Sequence, residues 1–291
     1  MTPFDLVEPN TLDDALELLG VGATDVRPAS GCTALMLMMK ASMLRPTRLV
    51  SLRRLAPGMS AIDFDGAELR IGALATLSAL ERSPLMREVL PVLARTLRTL
   101  ANVRVRNQAT LGGHLAHADP HMDLPPLLAA LDASVVVAGR HGGRRIAVEQ
   151  LISGYLETTL EPGELITEVR VPVHAQLSAA YLKVTSRSAD DLPSLGVAVG
   201  VQTTSGRIEH ARVVIGAALD RPTRLVGIES LLRDAVIGER VVAHAAEAAA
   251  NEVQPIADQH GSAAYKKQLI RVYVARALRQ TLDLPPHGDP T

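Results

Sequence analysis

The sequence predicts an α+β chain in which two N-terminal α/β subdomains precede a C-terminal unit of three antiparallel strands and packed helices. Three observations carry this expectation: a strand–helix–strand order near the start, hairpin signals alternating with helical stretches in the middle, and three strand candidates followed only by helices at the end. At 291 residues and 47% apolar content the chain can bury a sizeable core and should divide into about two domains. The expected division is 1–175, with subdomains of about 1–57 and 58–175, and 176–291, because the pattern loosens around Pro172 to Ser178.

Asn10 or Thr11 caps a first helix in which Asp13 and Asp14 suit the positive N-terminal end, Leu12, Ala15, Leu16 and Leu19 form an apolar stripe, and Gly20 stops the run. A strand near Val26, a turn at Ser30-Gly31-Cys32-Thr33, an apolar helix over Leu35 to Lys40 and a strand at Arg48 to Ser51 complete the first subdomain. After Pro57-Gly58, strands at Met59 to Phe64 and Glu68 to Ile71 form a hairpin through Asp65-Gly66, a dipeptide that tolerates positive φ. Thr76 caps the next helix, and one longer amphipathic helix is expected from Pro84 to about Ala101. Asp123 to Leu131 reads as a helix with Pro125 and Pro126 in its first turn. Ser134 to Ala138 and Arg144 to Val148 form a hairpin turning at His141-Gly142-Gly143, and Leu165 to Val171 is the strand that closes this half. Tyr181 to Ser186, Leu195 to Thr203 and Arg207 to Ala218 are the antiparallel strands, the last two joined at Ser205-Gly206, and helices follow at 223–233, 239–253 and 262–282.

Composition excludes several functions. The 30 Lys and Arg residues nearly balance 31 Asp and Glu, and only 2% of residues are aromatic, so neither charge nor stacking surface fits a nucleic-acid partner. The opening MTPFDLVEPN has no leader-like pattern, and Lys40 or Asp132 breaks the apolar runs before the ~18 residues of a membrane helix. The expectation is a cytoplasmic protein with no membrane insertion. The single cysteine, Cys32, allows no internal disulfide and cannot by itself provide the four thiolates of an iron–sulfur site.

The most informative segment runs from Asn107 to Pro125. Gly112-Gly113 beside Thr110 lets backbone N–H groups approach a phosphate and form an anion-binding nest, and the Ser30-Gly31-Cys32-Thr33 turn before an apolar helix has the same chemistry. Neither matches a Gly-x-Gly-x-x-Gly site or a P-loop. His114, His117 and His121, interleaved with Asp119 and Asp123, have spacings that a helix would bring near one face for a metal. Pro120 and the glycines favour a loop of ordinary polar residues instead. No Gly-x-Ser-x-Gly elbow or paired carboxylates point to hydrolysis, and Arg144-Arg145 reads as solvated charge.

Taken together, Ser30 to Lys40, Thr110 to Leu131, Pro162-Gly163-Glu164-Leu165-Ile166 with Val171-Pro172, and Lys183 to Asp191 resemble the medium, FAD-binding subunit of molybdenum hydroxylases. That family includes carbon monoxide dehydrogenase, xanthine dehydrogenase and bacterial N-heterocycle hydroxylases. The resemblance runs nearly end to end. It implies two diphosphate loops for FAD, one of Ala29, Ser30, Gly31, Cys32, Thr33, Ala34 and Leu35, the other of Thr110, Leu111, Gly112, Gly113 and His114. It further implies Asp123 against the ribityl chain, Ile166 beside the flavin, Lys183 lining that site, and Leu192 over the isoalloxazine. No side chain here is expected to act on the organic substrate. The implied partners are a large subunit with the molybdenum cofactor and a small subunit with [2Fe–2S] clusters, assembled as a dimer of heterotrimers, a heterohexamer. Electrons would pass from the clusters through FAD to an external acceptor. Two departures bear on FAD affinity. The family's first loop usually reads Ala-Gly-Gly, then Thr or His, then Ser or Asp, where this chain has Cys32 for the second glycine and Ala34 for the last position. The second loop usually continues with Asn, where this chain has His114. The alternative reading is therefore an assembly subunit of the same complex that binds flavin weakly or not at all. A self-contained flavin oxidase has little chain left for a substrate domain.

Overall fold

A computed structural model describes residues 2–20 and 25–285; Met1 and residues 286–291, the outermost ends of the two expected domains, lie outside the described residues. The first unit is a three-stranded parallel sheet in the order β1-β3-β2, formed by β1 (Asp5–Val7), β2 (Val26–Ala29) and β3 (Arg48–Ser51), with helices α1 (Leu12–Leu18) and α2 (Leu35–Lys40) in the connections. Thr11, not Asn10, caps α1: its hydroxyl accepts from the Asp14 N–H at 3.1 Å and the Asp14 carboxylate accepts from the Thr11 N–H, a reciprocal capping box. β1 escaped the sequence reading because it is three residues long and mostly exposed.

A 3-10 turn at Arg53–Leu55 and the short helix α3 (Ala56–Met59) lead into a five-stranded antiparallel sheet ordered β4-β5-β10-β6-β7. Its strands are β4 (Ile62–Phe64), β5 (Glu68–Gly72), β6 (Ser134–Gly139), β7 (Gly142–Ala147) and β10 (Leu165–Pro172). The structure differs from three expectations in this unit. Pro57-Gly58 lies inside α3 and the strand begins only at Ile62, because Met59 turns its carbonyl onto the Leu74 N–H at 2.8 Å. The single helix from Pro84 breaks into α5 (Pro84–Val89) and α6 (Pro91–Arg98): Pro91 lacks an N–H and Leu90 is pushed out of the helical region to φ −138°. The β6–β7 hairpin turns at Arg140-His141, while Gly142 already pairs with Gly139. The strand that closes this half of the chain, β10, is found where expected in sequence and lies in the middle of the sheet, paired with β5 and β6. Helix α4 (Leu77–Arg82), capped by Thr76 as expected, joins α5, α6, α7 (Val103–Arg106) and α8 (Leu111–His117) around the same core. Helix α9 (Leu124–Ala130) precedes β6, and α10 (Val148–Leu151) with the two-stranded ribbon β8 (Ile152–Gly154) and β9 (Glu157–Thr158) fills the span before β10.

The last unit has β11 (Leu177–Val184), β12 (Leu195–Thr204) and β13 (Arg207–Gly216) as the expected antiparallel sheet, extended by a two-residue edge strand, β14 (Thr223–Arg224). Helices α11 (Val226–Leu232), α12 (Glu239–Glu252) and α13 (Ala263–Thr281) cover one face and share its core. Helix α9 covers the other. All seven of its residues are buried, and Ala198 of β12 and Val214 of β13 belong to the same core cluster as α9. Close approach is possible because β12 and β13 carry glycines under the helix: a Cβ at Gly200 would lie 2.9 Å from the Ala130 carbonyl oxygen, and one at Gly216 would lie 2.9 Å from Cγ of Pro126. Gly216→Val should therefore destabilise the chain by about 1–3 kcal/mol through overpacking, read as a lower urea midpoint with unchanged slope.

Candidate functional site

Two segments distant in sequence meet at the edges of the first two sheets. The chain leaving β2 turns at Ser30–Gly31 and enters α2; the chain leaving α7 passes Gln108 and Ala109 and enters α8. The Thr110 hydroxyl donates to Ser30 Oγ at 3.0 Å. A side chain at Gly31 would collide with the Gln108 carbonyl, and a Cβ at Gly113 would lie 2.7 Å from Ser30 Oγ and 2.9 Å from Thr110 Oγ1. Gly31 is thus required for the two segments to touch, and a side chain at Gly113 would displace the Ser30 and Thr110 hydroxyls, a packing demand in addition to any ligand.

The expected open loop after Thr110 is a helix. Thr110 caps α8, accepting from the Gly113 N–H at 3.2 Å, while the Leu111 and Gly112 N–H groups donate to Ala75 and Ala73 carbonyls at 3.0 and 2.8 Å. These donors are already engaged, so the second segment is not the nest of free N–H groups that the glycines predicted. The first segment has that property: among the described residues, the N–H groups of 31–34 meet no acceptor. The turn is held by Cys32 at φ +57°, its thiol donating to the Ser30 carbonyl at 3.5 Å and its pKa pushed up by burial. Thr33 and Ala34 follow, and Leu35 packs on the small core of Ala29, Met39 and Leu49.

His114 projects from α8 and is almost wholly buried, and its Nε2 has no hydrogen-bond partner. Burial first, then the neighbouring His117, holds its pKa down at about 3, so the imidazole is neutral at any ordinary pH. The three histidines do not form a metal site: among the described residues no group of three His, Cys, Asp or Glu side chains is arranged to hold a metal ion.

Asp123, at the head of α9, is buried with two partners from the C-terminal sheet. Tyr181 donates to Oδ1 at 2.8 Å and Lys183 to Oδ2 at 3.1 Å, and Lys183 also donates to the Thr99 carbonyl at 3.1 Å. Burial raises the Asp123 pKa against the opposing pull of Lys183 and Tyr181, and burial together with the Asp123 charge drives the Tyr181 hydroxyl well above its usual value. Tyr181 was not anticipated, although its position two residues before Lys183 on a strand places both side chains on one face. Beside them opens a cleft of about 360 Å³ between α6 and β11, lined by Arg95, Thr96, Thr99, Tyr181, Lys183 and Thr185 among others. That volume is in the range of small-molecule sites. Ile166 is buried in the central strand β10, and Leu192 is exposed on the β11–β12 connection. The structure thus joins the first loop to the second, and Asp123 to Lys183; it shows Ile166 in the sheet core and Leu192 exposed on the β11–β12 connection.

A family model described as the FAD binding domain in molybdopterin dehydrogenase matches residues 2–174, more than half of the chain, and one described as the CO dehydrogenase flavoprotein C-terminal domain matches residues 180–281. The chain belongs to the FAD-binding subunits of the molybdenum hydroxylases. It is 34% identical over 281 residues to the 6-hydroxypseudooxynicotine dehydrogenase complex subunit alpha of Paenarthrobacter nicotinovorans, covering 96% of this chain and 94% of that protein. It is 30% identical to the carbon monoxide dehydrogenase medium chain of Hydrogenophaga pseudoflava, covering 94% and 96%. A solved structure of carbon monoxide dehydrogenase from Hydrogenophaga pseudoflava, lacking the Mo-pyranopterin moiety, superposes with a TM-score of 0.93 at 31% identity over 97% of this chain and 98% of that one. This FAD-binding oxidoreductase subunit has, among its described residues, no helix long and apolar enough to cross a membrane.

The residues present fit a diphosphate-bearing flavin. The acceptor-less N–H groups of 31–34 and the joined Ser30 and Thr110 hydroxyls lie beside Gly31, where a Cβ would strike backbone, and one helical turn beyond Thr110 the buried His114 Nε2 is without a partner. Cys32 remains compatible with this at the expense of a left-handed backbone. The left-handed conformation is present in the ligand-free chain, so Cys32→Gly should raise its stability by about 1 kcal/mol, measured as an increased urea midpoint.

Proposed function

We propose that the chain is the flavin-holding electron-transfer subunit of a cytoplasmic molybdenum hydroxylase. A large subunit would carry the molybdenum cofactor, a small subunit the [2Fe–2S] clusters, and the assembly would be a dimer of heterotrimers. The observation that carries this reading is the meeting of the 29–35 and 110–114 segments through Ser30 and Thr110 in a chain of this family. Names of relatives such as "complex subunit" and "medium chain" support assembly with other chains. With Cys32 as its one cysteine, this chain alone lacks the thiolates for a cluster.

Within residues 1–175, the proposed FAD-binding domain, Ala29 to Leu35 would take the diphosphate on backbone N–H groups, with Ser30, Thr110 and His114 adding side-chain contacts and Leu111, Gly112 and Gly113 the close backbone. Asp123 would accept from the ribityl hydroxyls. Lys183, from residues 176–291, would line the flavin side with Ile166, and Leu192 would cover the ring. Bound FAD supplies the one- and two-electron redox chemistry that links the clusters to an external acceptor. The chain's residues bind, orient and shield; none need move a proton on the organic substrate.

Two outcomes follow. Gly113→Val should abolish FAD retention, because the new side chain would strike Ser30 and Thr110; full flavin absorbance in the purified variant contradicts the loop assignment. The isolated chain should show no hydroxylation, and dye reduction by substrate should appear only after recombination with its partner subunits. A wild-type chain that neither contains flavin nor takes up added FAD would favour the assembly-subunit reading.

A further inference from the structure

The turn that delivers Asp123 is gripped from its other side by a closed ring of hydrogen bonds. Between α8 and α9 the chain runs through Ala118, at φ +53°, Asp119, Pro120 and His121. The Ala217 N–H, beyond the end of β13, donates to the Pro120 carbonyl at 2.9 Å. The Ala217 carbonyl accepts from Nζ of Lys266, a side chain with no exposed surface, at 2.9 Å, and the same Nζ donates to Asp258 Oδ2 at 2.6 Å. Asp258 Oδ2 lies 3.1 Å from His121 Nε2, which returns the ring to the turn. His121 Nδ1 lies 3.0 Å from Asp119 Oδ1.

We infer that His121 is a positioning residue for the cofactor site: as an imidazolium bridging Asp119 and Asp258 it fixes the 118–123 turn to the C-terminal unit, and FAD affinity depends on its proton. The inference rests on the reading that FAD binds beside Asp123. Each ring nitrogen faces a carboxylate, and a neutral imidazole has only one N–H, so one of the two contacts would become a repulsion between lone pairs; the protonated ring donates to both. The charges agree. Asp119, Asp258, Lys266 and a protonated His121 sum to zero, whereas loss of the proton leaves a net negative charge in a mostly buried cluster.

The groups facing His121 act consistently. The hydrogen bond to Asp119 raises its pKa above the ordinary histidine value, burial opposes this, and Asp258 adds to the rise. Burial works against the Asp258 charge, but bonds from Lys266, His121 and the His260 N–H hold its carboxyl down at about 2. Burial likewise opposes ionised Asp119, and the two bonds from His121 outweigh it. His117 and His260, the latter with its ring centroid 5.0 Å from that of His121, both have their pKa lowered by burial first, and the His121 charge adds to the lowering of His260. Because the folded pKa is raised, the stabilisation is complete below the ordinary histidine value, about 6.5, and is lost as pH rises through the folded value.

Titration of the full-length apoprotein with FAD between about pH 6 and 9 tests the coupling. Wild-type affinity should be level at the acid end and fall roughly threefold to tenfold toward the alkaline end. His121→Gln should bind more weakly at the acid end and lose this dependence. By reciprocity FAD must raise the His121 titration midpoint, followed by the imidazole proton resonance in the wild-type chain, which decides the matter even if the variant does not fold. Equal midpoints with and without FAD, or identical pH profiles for wild type and variant, overturn this inference while leaving the cofactor reading intact. A wild-type chain that takes up no FAD at any pH overturns both.

Discussion

The structure depends on one steric constraint, the burial of α9 between two sheets. The helix presents Leu124, Leu127 and Leu128 to the core of the five-stranded sheet and lies against β12 and β13 through Pro126 and Ala130. Gly200 and Gly216 make that approach possible. Because α9 cannot shift without striking one sheet or the other, the residue at its head is placed with the same rigidity. That residue is Asp123, and burying a carboxylate there would cost several kcal/mol without partners. Tyr181 and Lys183 supply them from the opposite unit, so the proposed cofactor site would share its polar contacts with the interface between units.

Polar groups fix the register that apolar packing leaves open. On one flank Asp132, Arg212, Glu149, Arg224 and Glu229 form a continuous chain of ion pairs from the helical side of the five-stranded sheet to α11. On the other the ring through His121, Asp258 and Lys266 joins the α8–α9 turn to α13. Exposed pairs such as Arg187–Asp191 add little to stability, while the buried members, Lys266 and Glu229, specify one arrangement, since a buried charge that loses its partner is costly.

The loop pair shows a trade between local preference and close packing. Two glycines in the first turn of α8 cost roughly 1 kcal/mol each relative to alanine in a helix interior. They are tolerated because Gly112 lies against Ala73 and Gly113 against Ser30, contacts a Cβ would prevent. Cys32 makes the opposite concession, keeping a side chain where the backbone is left-handed.

The sequence by itself determined the local elements: a capped start at Asn10 or Thr11 and another at Thr76, the Asp65-Gly66 hairpin, three of the four strands of the C-terminal sheet and the apolar helices that follow, though 223–224, read as helix, form β14. Each is decided by side chains within a turn or two of one another. It also carried the family, because the loop residues around Ser30 and Thr110 stand in a specific order and spacing. Tertiary structure decided what depends on distant partners. Whether Thr110 to His117 is a loop or a helix turned on Ala73 and Ala75 accepting its first N–H groups. The central place of β10 turned on strands far apart in the chain, and the pairing of His121 with Asp258, 137 positions away, left no local periodicity to read. Such contacts arise only when the folded chain brings unrelated segments into one low-dielectric space, where an unpaired donor or charge is too costly to leave alone.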